Sequence, residues 1–268
     1  MKIGGSKMND TDMITLIYAT IDDIVKSIDL DPKPGPKGKL SESEILTLMV
    51  IFPLLKPFCK LNRFYHWINW NFKHLFPNMP DYTRILRLFE NNKELLIYVM
   101  TKLSDTNSFG LIVDGTPVGV MEAIRGKFAK AFRDARKVKC ASKNEWHYGF
   151  LLVLIIDQQG SITTASLDVK AEVKQLENIL EDLKDRWVLA DLGYRGKDMH
   201  KRMRDDKQIA IKLTGGKERQ WIENVIGILK DKLGLSRIRG VRKTPAFIAR
   251  VFSMLCAYNL CMRLDLAI

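Results

Sequence analysis

The amino-acid sequence predicts an α/β protein, with an all-helical N-terminal domain at 1–105 and a mixed five-stranded sheet with flanking helices at 106–268. Two observations carry this prediction. Apolar residues recur at helical spacing through the first hundred positions, whereas short apolar runs typical of strands begin near residue 109. A chain of 268 residues with 46% hydrophobic content has enough material to build both parts.

The N-terminal part shows three helical patterns, at 13–28, 61–76 and 83–103. Ser41 to Glu44 forms a capping-box sequence that predicts the start of a further helix. Between the first helical pattern and this capping box, residues 31–39 contain three prolines and two glycines. This composition favours a linker, because neither a helix nor a strand continues through such residues.

One corner of this helical part has two interpretations. A short turn with Arg84 and Arg87 early in the following helix fits a helix-turn-helix DNA reader, and it equally fits a corner of an ordinary bundle. The nearby aromatic residues could stack on bases or pack in a core: Tyr65, Trp67, Trp70 and Phe72.

The C-terminal part follows the element order β, β, β, α, β, α, β, α. Strands are predicted at 109–113, 148–156, 162–167, 188–190 and 209–213, with helices at about 171–185, from 197 and through Glu223. This is the order of an RNase H-like fold, which starts antiparallel and has a parallel centre.

The charge balance predicts a polyanionic partner. Forty-three Lys and Arg oppose 31 Asp and Glu, which gives a net charge of +12 and a pI near 9.5. Between 121 and 150, eight cations face three anions, and 236–250 holds five cations and no anion. Such segments suit sequence-independent contacts with phosphates, and we expect the first to be a loop that DNA orders.

The remaining composition favours a soluble, cytoplasmic protein without a membrane partner. The apolar run 45–55 is too short to span a bilayer. The four cysteines have neither CxxC pairing nor a histidine at ligand spacing, which favours reduced thiols over a zinc site.

Three acidic residues form the candidate site. Asp114 and Asp191 each follow an apolar strand-like run, and Glu223 lies on a helix where Arg219 and Lys230 share its arc. Taken singly, each aspartate could be a turn residue and the glutamate part of a solvated ion-pair face. Together on this topology, three carboxylates indicate a site for divalent metal.

Several short stretches resemble the DDE transposases of bacterial insertion sequences, most closely the "IS nine-eight-two" group. They occur in the family's order across most of the chain. The matching pieces are Val113-Asp114-Gly115-Thr116-Pro117, Cys140-Ala141-Ser142-Lys143, Tyr148-Gly149-Phe150, Ala190-Asp191-Leu192-Gly193-Tyr194-Arg195-Gly196, Arg219-Gln220-Trp221-Ile222-Glu223 with Lys230, and Lys73-His74-Leu75-Phe76-Pro77.

The resemblance implies a DNA transposase that cleaves phosphodiester bonds at the ends of its element and transfers the strand into target DNA. Asp114, Asp191 and Glu223 would be the catalytic triad and would hold two Mg²⁺ or Mn²⁺ ions. Tyr194, Arg219 and Lys230 match accessory DNA-contacting positions, and the chain is expected to assemble as a homo-oligomer on DNA.

The basic segments add further candidates for DNA contacts. These are Arg136, Lys137, Lys139 and Lys143 in the first segment, and Arg237, Arg239, Arg242 and Lys243 in the second.

The chain departs from the family pattern at three positions. Gly115 stands where the family has serine, and Leu151 and Val153 stand where it has lysine and histidine. Two alternatives stay open: a metal-dependent nuclease of the same fold, and an inactive copy that acts as a DNA-binding protein.

The three clustered carboxylates of the candidate site also repel one another, so we expect a raised pKa for at least one of Asp114, Asp191 and Glu223.

Overall fold

The computed structural model describes residues 2–3, 6–28, 38–104, 108–122, 126, 132–140 and 145–267. The helices are α1 Asp10–Lys26, α2 Glu42–Leu55, α3 Leu61–Asn71, α4 Tyr82–Asn91, α5 Lys93–Lys102, α6 Glu172–Leu180, α7 Lys197–Lys207, α8 Gln220–Asp231 and α9 Thr244–Arg263. The strands are β1 Lys2–Ile3, β2 Ser6–Lys7, β3 Gly110–Glu122, β4 Arg136–Cys140, β5 Glu145–Asp157, β6 Ile162–Asp168, β7 Trp187–Asp191 and β8 Ala210–Thr214.

The chain divides into two compact units, a helical unit of Met1–Leu103 with Lys232–Ile268 and a sheet unit of Ser104–Asp231. The first division lies close to the sequence boundary at 105/106. The C-terminal segment differs from the expectation, because 232–268 clusters with the helices and not with the sheet.

The apolar character of α9 explains this difference. The helix packs against α2, α4 and α5, and nearly every residue from Phe247 to Cys261 is buried. A helix that is hydrophobic all round must be enclosed on all sides, and a bundle offers that enclosure. Within the described residues, α9 is also the one helix that meets the length and hydropathy criteria for crossing a membrane, and 78% of the qualifying window is buried in the protein.

The helical unit otherwise follows the sequence patterns closely. The capping box at the start of α2 is formed, since the Ser41 side chain accepts from the Glu44 backbone and the Glu44 side chain accepts from the Ser41 backbone. Asn92 divides the pattern at 83–103 into α4 and α5. Most of the predicted linker, namely residues 31–37, lies outside the described residues.

The four aromatic residues of the α3 region divide between the two interpretations. Phe72 is buried, and Tyr65 and Trp67 are half-buried, with the Tyr65 hydroxyl donating to the Pro80 carbonyl at 3.0 Å. Trp70 is 89% exposed. Core packing therefore accounts for three of them, and not for Trp70.

The sheet unit confirms the RNase H-like order. Its central strands run in the spatial order β6-β5-β3-β7-β8; β3, β5 and β6 are antiparallel, and β3, β7 and β8 are parallel. A core of buried aliphatic residues lies between this sheet and helices α6 and α7.

Two features of the sheet differ from the prediction. The first strand does not end at Asp114, because residues after it continue pairing with β5 as far as Glu122. The expected loop within 121–150 contains β4, which pairs antiparallel with the start of β5 and makes a sixth strand. Other parts of that segment, 123–125, 127–131 and 141–144, lie outside the described residues.

Candidate active site in the sheet unit

The register of two parallel strands places Asp114 beside Asp191. In β3 and β7 the paired residues run up to Ile112 and Leu189, and each aspartate lies two residues past that last pair. Side chains alternate between the two faces of a sheet along each strand. Two residues that lie the same number of positions past a pair of neighbouring residues therefore point to the same face. The two carboxylates therefore share one face of the sheet at the carboxyl end of β7.

Glu223 reaches the same place from the helix that follows the last strand. After β8, a single 3₁₀ turn at Lys217–Arg219 leads into α8, which packs against β3. Glu223 lies in the first turn of α8, where the positive end of the helix dipole favours a carboxylate.

Arg219 joins the three carboxylates. Its Nη2 donates to Asp114 Oδ2 at 2.8 Å and lies 3.6 Å from Glu223 Oε1, while its Nη1 lies 3.3 Å from Asp191 Oδ1. The pKa of Arg219 is raised, because the hydrogen bond and the negative charges outweigh its burial. The structure thus brings the predicted triad together around one guanidinium group.

The three carboxylates differ in exposure. The Asp114 side chain is 13% exposed, against 37% for Asp191 and 57% for Glu223. The pKa of Asp114 is raised, chiefly because burial penalises its charged form and in smaller part because of Asp191. The expected raised pKa is present, but desolvation and not carboxylate repulsion is its main cause.

A fourth carboxylate, Glu172, belongs to this site and was missed by the sequence analysis. Burial and the charges of Asp114 and Asp191 raise the pKa of Glu172. A Cβ atom added to Gly115 would lie 2.5 Å from Glu172 Oε1, so the two residues are in close approach. Gly115 therefore makes room for Glu172, which accounts physically for the absence of a serine side chain there.

The other two departures also have a packing explanation. Leu151 and Val153 pair with Pro117 and Gly115 across the β3–β5 ladder, and both are buried. Val153 is part of the aliphatic core of the sheet unit.

The structure changes the interpretation of two accessory residues. Tyr194 is fully buried in the core, so its side chain cannot reach DNA in this conformation. Burial and the neighbouring carboxylates raise its pKa, and its hydroxyl has no hydrogen-bond partner among the described residues. Arg219 is 17% exposed and engaged with the triad, not directed at a partner.

The remaining candidates for DNA contact lie in three places. Lys230 is half-buried on α8 of the sheet unit. Arg136 and Lys137 are exposed on β4; the side chain of Lys139 and all of Lys143 lie outside the described residues. The four cations of the second basic segment are exposed and belong to the helical unit: Arg237, Arg239, Arg242 and Lys243.

The donor chemistry of the triad suits a hard divalent cation, since all three groups offer carboxylate oxygens. The spacing is that of a guanidinium complex. Within the described residues, no group of three His, Cys, Asp or Glu side chains is arranged so that it could hold a metal ion. The triad as it stands surrounds the guanidinium group of Arg219.

Comparisons with known proteins bear on the same region. Residues 108–219 match the family described as "Transposase DDE domain", a match that includes Asp114 and Asp191 and ends four positions before Glu223. No curated protein matches the chain significantly.

A solved structure, "Drosophila P element transposase strand transfer complex", is similar to this chain at 13% identity with a TM-score of 0.36. The similarity covers 83% of this chain and 50% of the other, so the chain spans half the length of that protein. The family match is the informative comparison: residues 108–219, within the sheet unit, are similar to a transposase DDE domain.

Proposed function

We propose that the protein is a DNA transposase of the insertion-sequence type, related to the "IS nine-eight-two" group, that cleaves DNA at the element ends and joins it to target DNA. The observation that carries the proposal is the convergence of Asp114, Asp191 and Glu223 on one cation, Arg219. The transposase DDE domain at 108–219 supports it independently.

Divalent metal is the expected cofactor, because transposase DDE domains typically use it. Asp114, Asp191 and Glu223 would hold two Mg²⁺ or Mn²⁺ ions. When bound, such ions activate the attacking oxygen and stabilise the leaving oxygen of a phosphodiester.

Arg219 has a separate task in this proposal. Its guanidinium group neutralises carboxylates that would otherwise repel one another. A guanidinium also binds phosphate oxygens through paired hydrogen bonds. Arg219 is therefore suited both to neutralise the carboxylates and to contact a DNA phosphate.

DNA is the proposed partner, and phosphate contacts dominate the interaction. Arg136 and Lys137 in the sheet unit and the second basic segment in the helical unit expose cations for this purpose. Assembly on DNA as a homo-oligomer is part of the same proposal, since two element ends must be handled together.

Binding should therefore depend steeply on salt. We expect log affinity for duplex DNA to fall linearly with log salt concentration. Replacing Arg237, Arg239, Arg242 and Lys243 together by glutamine should flatten the line by roughly one unit of slope for each phosphate that is no longer neutralised. An unchanged slope would mean that this segment does not touch DNA.

A nicking assay tests the enzyme proposal, with DNA that carries the element's own flanking sequences as substrate. Asp114→Asn, Asp191→Asn and Glu223→Gln should each lower metal-dependent nicking by about 10³-fold or more, because ligands worth several kcal/mol of transition-state stabilisation are removed. Asp205→Asn, a surface carboxylate paired with Arg204, is the control.

The outcomes separate the alternatives. Nicking without joining of pre-cleaved ends to a target would favour the nuclease, whereas DNA binding without nicking would favour the inactive copy. Triad variants that nick as well as the control would contradict the assignment of the site.

A further inference from the structure

A cavity of about 580 Å³ lies in the helical unit between α3, α4 and the start of α9. We call it the basic cavity, because its lining contains six cations and one anion, Glu90. The cations are Lys60, Arg87, Arg239, Arg242, Lys243 and Arg250. Its volume lies in the range of ligand sites, about 300–1,000 Å³.

Two glycines in or next to the wall of the basic cavity closely approach residues 57–60. Gly234 and Gly240 both have positive φ, +88° and +76°. A Cβ on Gly234 would lie 2.4 Å from the Pro57 carbonyl oxygen, and one on Gly240 would lie 3.1 Å from Lys60 Cγ. The second basic segment is therefore fixed against 57–60 and does not hang free in solvent.

Arg250 is the unusual member of the lining. It is 7% exposed, it covers the ring of Phe52 at 3.3 Å, and its Nη2 donates to the Pro57 carbonyl at 3.1 Å. Its Nη1 is buried and has no hydrogen-bond partner among the described residues, and none of their carboxylates pairs with it. Burial without a compensating anion lowers the pKa of Arg250 to about 9.

A buried cation without an anion costs stability unless something outside the fold neutralises it. A ligand that neutralises Arg250 must therefore be anionic. It must also enter the cavity, because Arg250 is buried in the lining.

The rest of the lining adds a second requirement. Phe52, Leu61, Leu86, Phe89 and Ala246 give the cavity an apolar surface, and Tyr82 contributes a phenol ring beside Arg242. An apolar and aromatic surface combined with cations suits a planar base attached to a phosphate. A base inside a duplex cannot enter such a cavity without leaving its stack.

We propose that the basic cavity of the helical unit binds one unpaired nucleotide of a DNA strand, with its phosphate near Arg250 and its base against the apolar surface. This inference rests on the proposed function for the presence of DNA, and it assigns a site that is separate from the acidic residues of the sheet unit.

Two variants test the proposal in complementary ways. Ala246→Trp fills the cavity and leaves every cation in place. Arg250→Met removes the buried charge and keeps an apolar side chain against Phe52. Their matched controls are Ala19→Trp, an exposed alanine on α1, and Arg263→Met, an exposed cation at the other end of α9.

The measurement is fluorescence anisotropy of the full chain with a single-stranded oligonucleotide of about 20 nucleotides and with the corresponding duplex, a length that exceeds common site sizes for single strands. Each test variant should weaken binding of the single strand by about tenfold, which is ~1.4 kcal/mol. Binding of the duplex, and both controls, should change by less than about twofold, because rim phosphate contacts remain.

Thermal unfolding distinguishes a ligand-binding role of Arg250 from a purely structural role. Arg250→Met should melt at or above the wild-type temperature, since an unpaired buried charge is removed, while its affinity for the single strand falls. A residue with a purely structural role would show the opposite: a lower melting temperature and unchanged affinity.

Several results would overturn the proposal. Unchanged affinity for the single strand in both variants would do so, as would an equal loss for single strand and duplex. If free thymidine monophosphate raised the melting temperature of the wild type but not of Ala246→Trp, and the oligonucleotide failed to compete, the ligand would be a free nucleotide and not DNA.

The test is independent of the catalytic proposal. Loss of single-strand binding in variants of a protein that never nicks DNA would support the cavity and contradict the transposase. Normal nicking, together with unchanged single-strand binding in both variants, would support the transposase and contradict the cavity proposal.

Discussion

Two arginines with little exposed surface, one in each unit, differ in whether carboxylates neutralise their charge. In the sheet unit, Arg219 has three carboxylates within 4 Å, and the pKa of its guanidinium is raised. In the helical unit, Arg250 is more deeply buried, no carboxylate of the described residues pairs with it, and its pKa falls to about 9. The first charge is satisfied inside the molecule and the second is not.

The difference indicates what each site lacks. Around Arg219 there is surplus negative charge, since Asp114, Asp191, Glu223 and Glu172 outnumber the single cation, so the site favours positive charge. The basic cavity has surplus positive charge and favours an anion. A DNA-processing enzyme needs both kinds of site, one for cations and one for phosphate.

The largest effect is expected from removing Arg219, and the matching change at Arg250 should have a much smaller one. Arg219→Gln should lower the free energy of unfolding by about 3 kcal/mol without metal, because Asp114 is left buried and unpaired. Arg250→Met should change it by less than about 1 kcal/mol, since the charge removed has no ionic partner. Urea titration measures both, and a larger loss for Arg250→Met would invert the comparison.

The crowding of the acidic site predicts a smaller but specific effect. Gly115→Ser should cost about 1–3 kcal/mol of stability, because the new side chain overlaps Glu172. Adding Glu172→Ala should recover much of that loss, a coupling that a double-mutant cycle measures.

Gly119→Ser on the same strand provides the control, because a Cβ there meets its nearest neighbour at an ordinary 3.6 Å. If the two serine variants were equally destabilised, the close approach of Gly115 and Glu172 would not be the cause.

Glu172 itself predicts a pH-dependent effect. Its folded-state pKa is raised, so its ionised form costs stability above that pKa, and the cost disappears as pH falls through it toward the ordinary value of about 4.3. Glu172→Gln should therefore be more stable than wild type at neutral pH, and the two should converge in acid. Thermal melts across this window provide the measurement, with Glu181→Gln as an exposed control; a gap that widens in acid would contradict the assignment.

The smallest effect is expected at Gly227, one turn after Glu223 on the same arc of α8. A Cβ there would meet no atom within 4 Å among the described residues, so the position is open. Gly227→Ala should stabilise the helix by about 0.5–1 kcal/mol. If this open arc is where the DNA backbone approaches, the same variant should nick more slowly, and faster nicking would argue against that approach.

The positions of the triad could be predicted because they follow from regular structure. Asp114 and Asp191 follow apolar runs that the parallel pairing of β3 and β7 sets in register, and Glu223 follows from helical spacing. These relations depend on periodicity and order along the chain, which a sequence displays directly.

The surroundings of the triad could not be predicted in the same way. Glu172 begins an ordinary helix, and its acidic side chain near a helix N-terminus has a common local explanation. The only sequence signal was the glycine at 115, which lies on strand β3 and not on this helix. Tyr194 follows Asp191 by three residues, but the turn there brings its ring into the core, with the Tyr194 backbone donating to the Asp191 carbonyl at 2.9 Å.

The place of α9 and the side-chain direction of Arg219 depend on contacts between distant parts of the chain. The sequence shows that α9 is apolar but not which helices cover it. It shows that Arg219 and Glu223 share an arc, but not that the 3₁₀ turn carries the guanidinium group to Asp114, 105 residues away in sequence.

Binding of Mn²⁺ to the DNA-free protein, followed by electron paramagnetic resonance, tests most directly whether the triad is one cation site that Arg219 fills. If it is, Arg219→Gln should bind Mn²⁺ about tenfold more tightly than wild type, ~1.4 kcal/mol, because a competing cation is gone. Asp114→Asn should abolish the binding. Equal or weaker binding by Arg219→Gln, or unchanged binding by Asp114→Asn, would contradict the account.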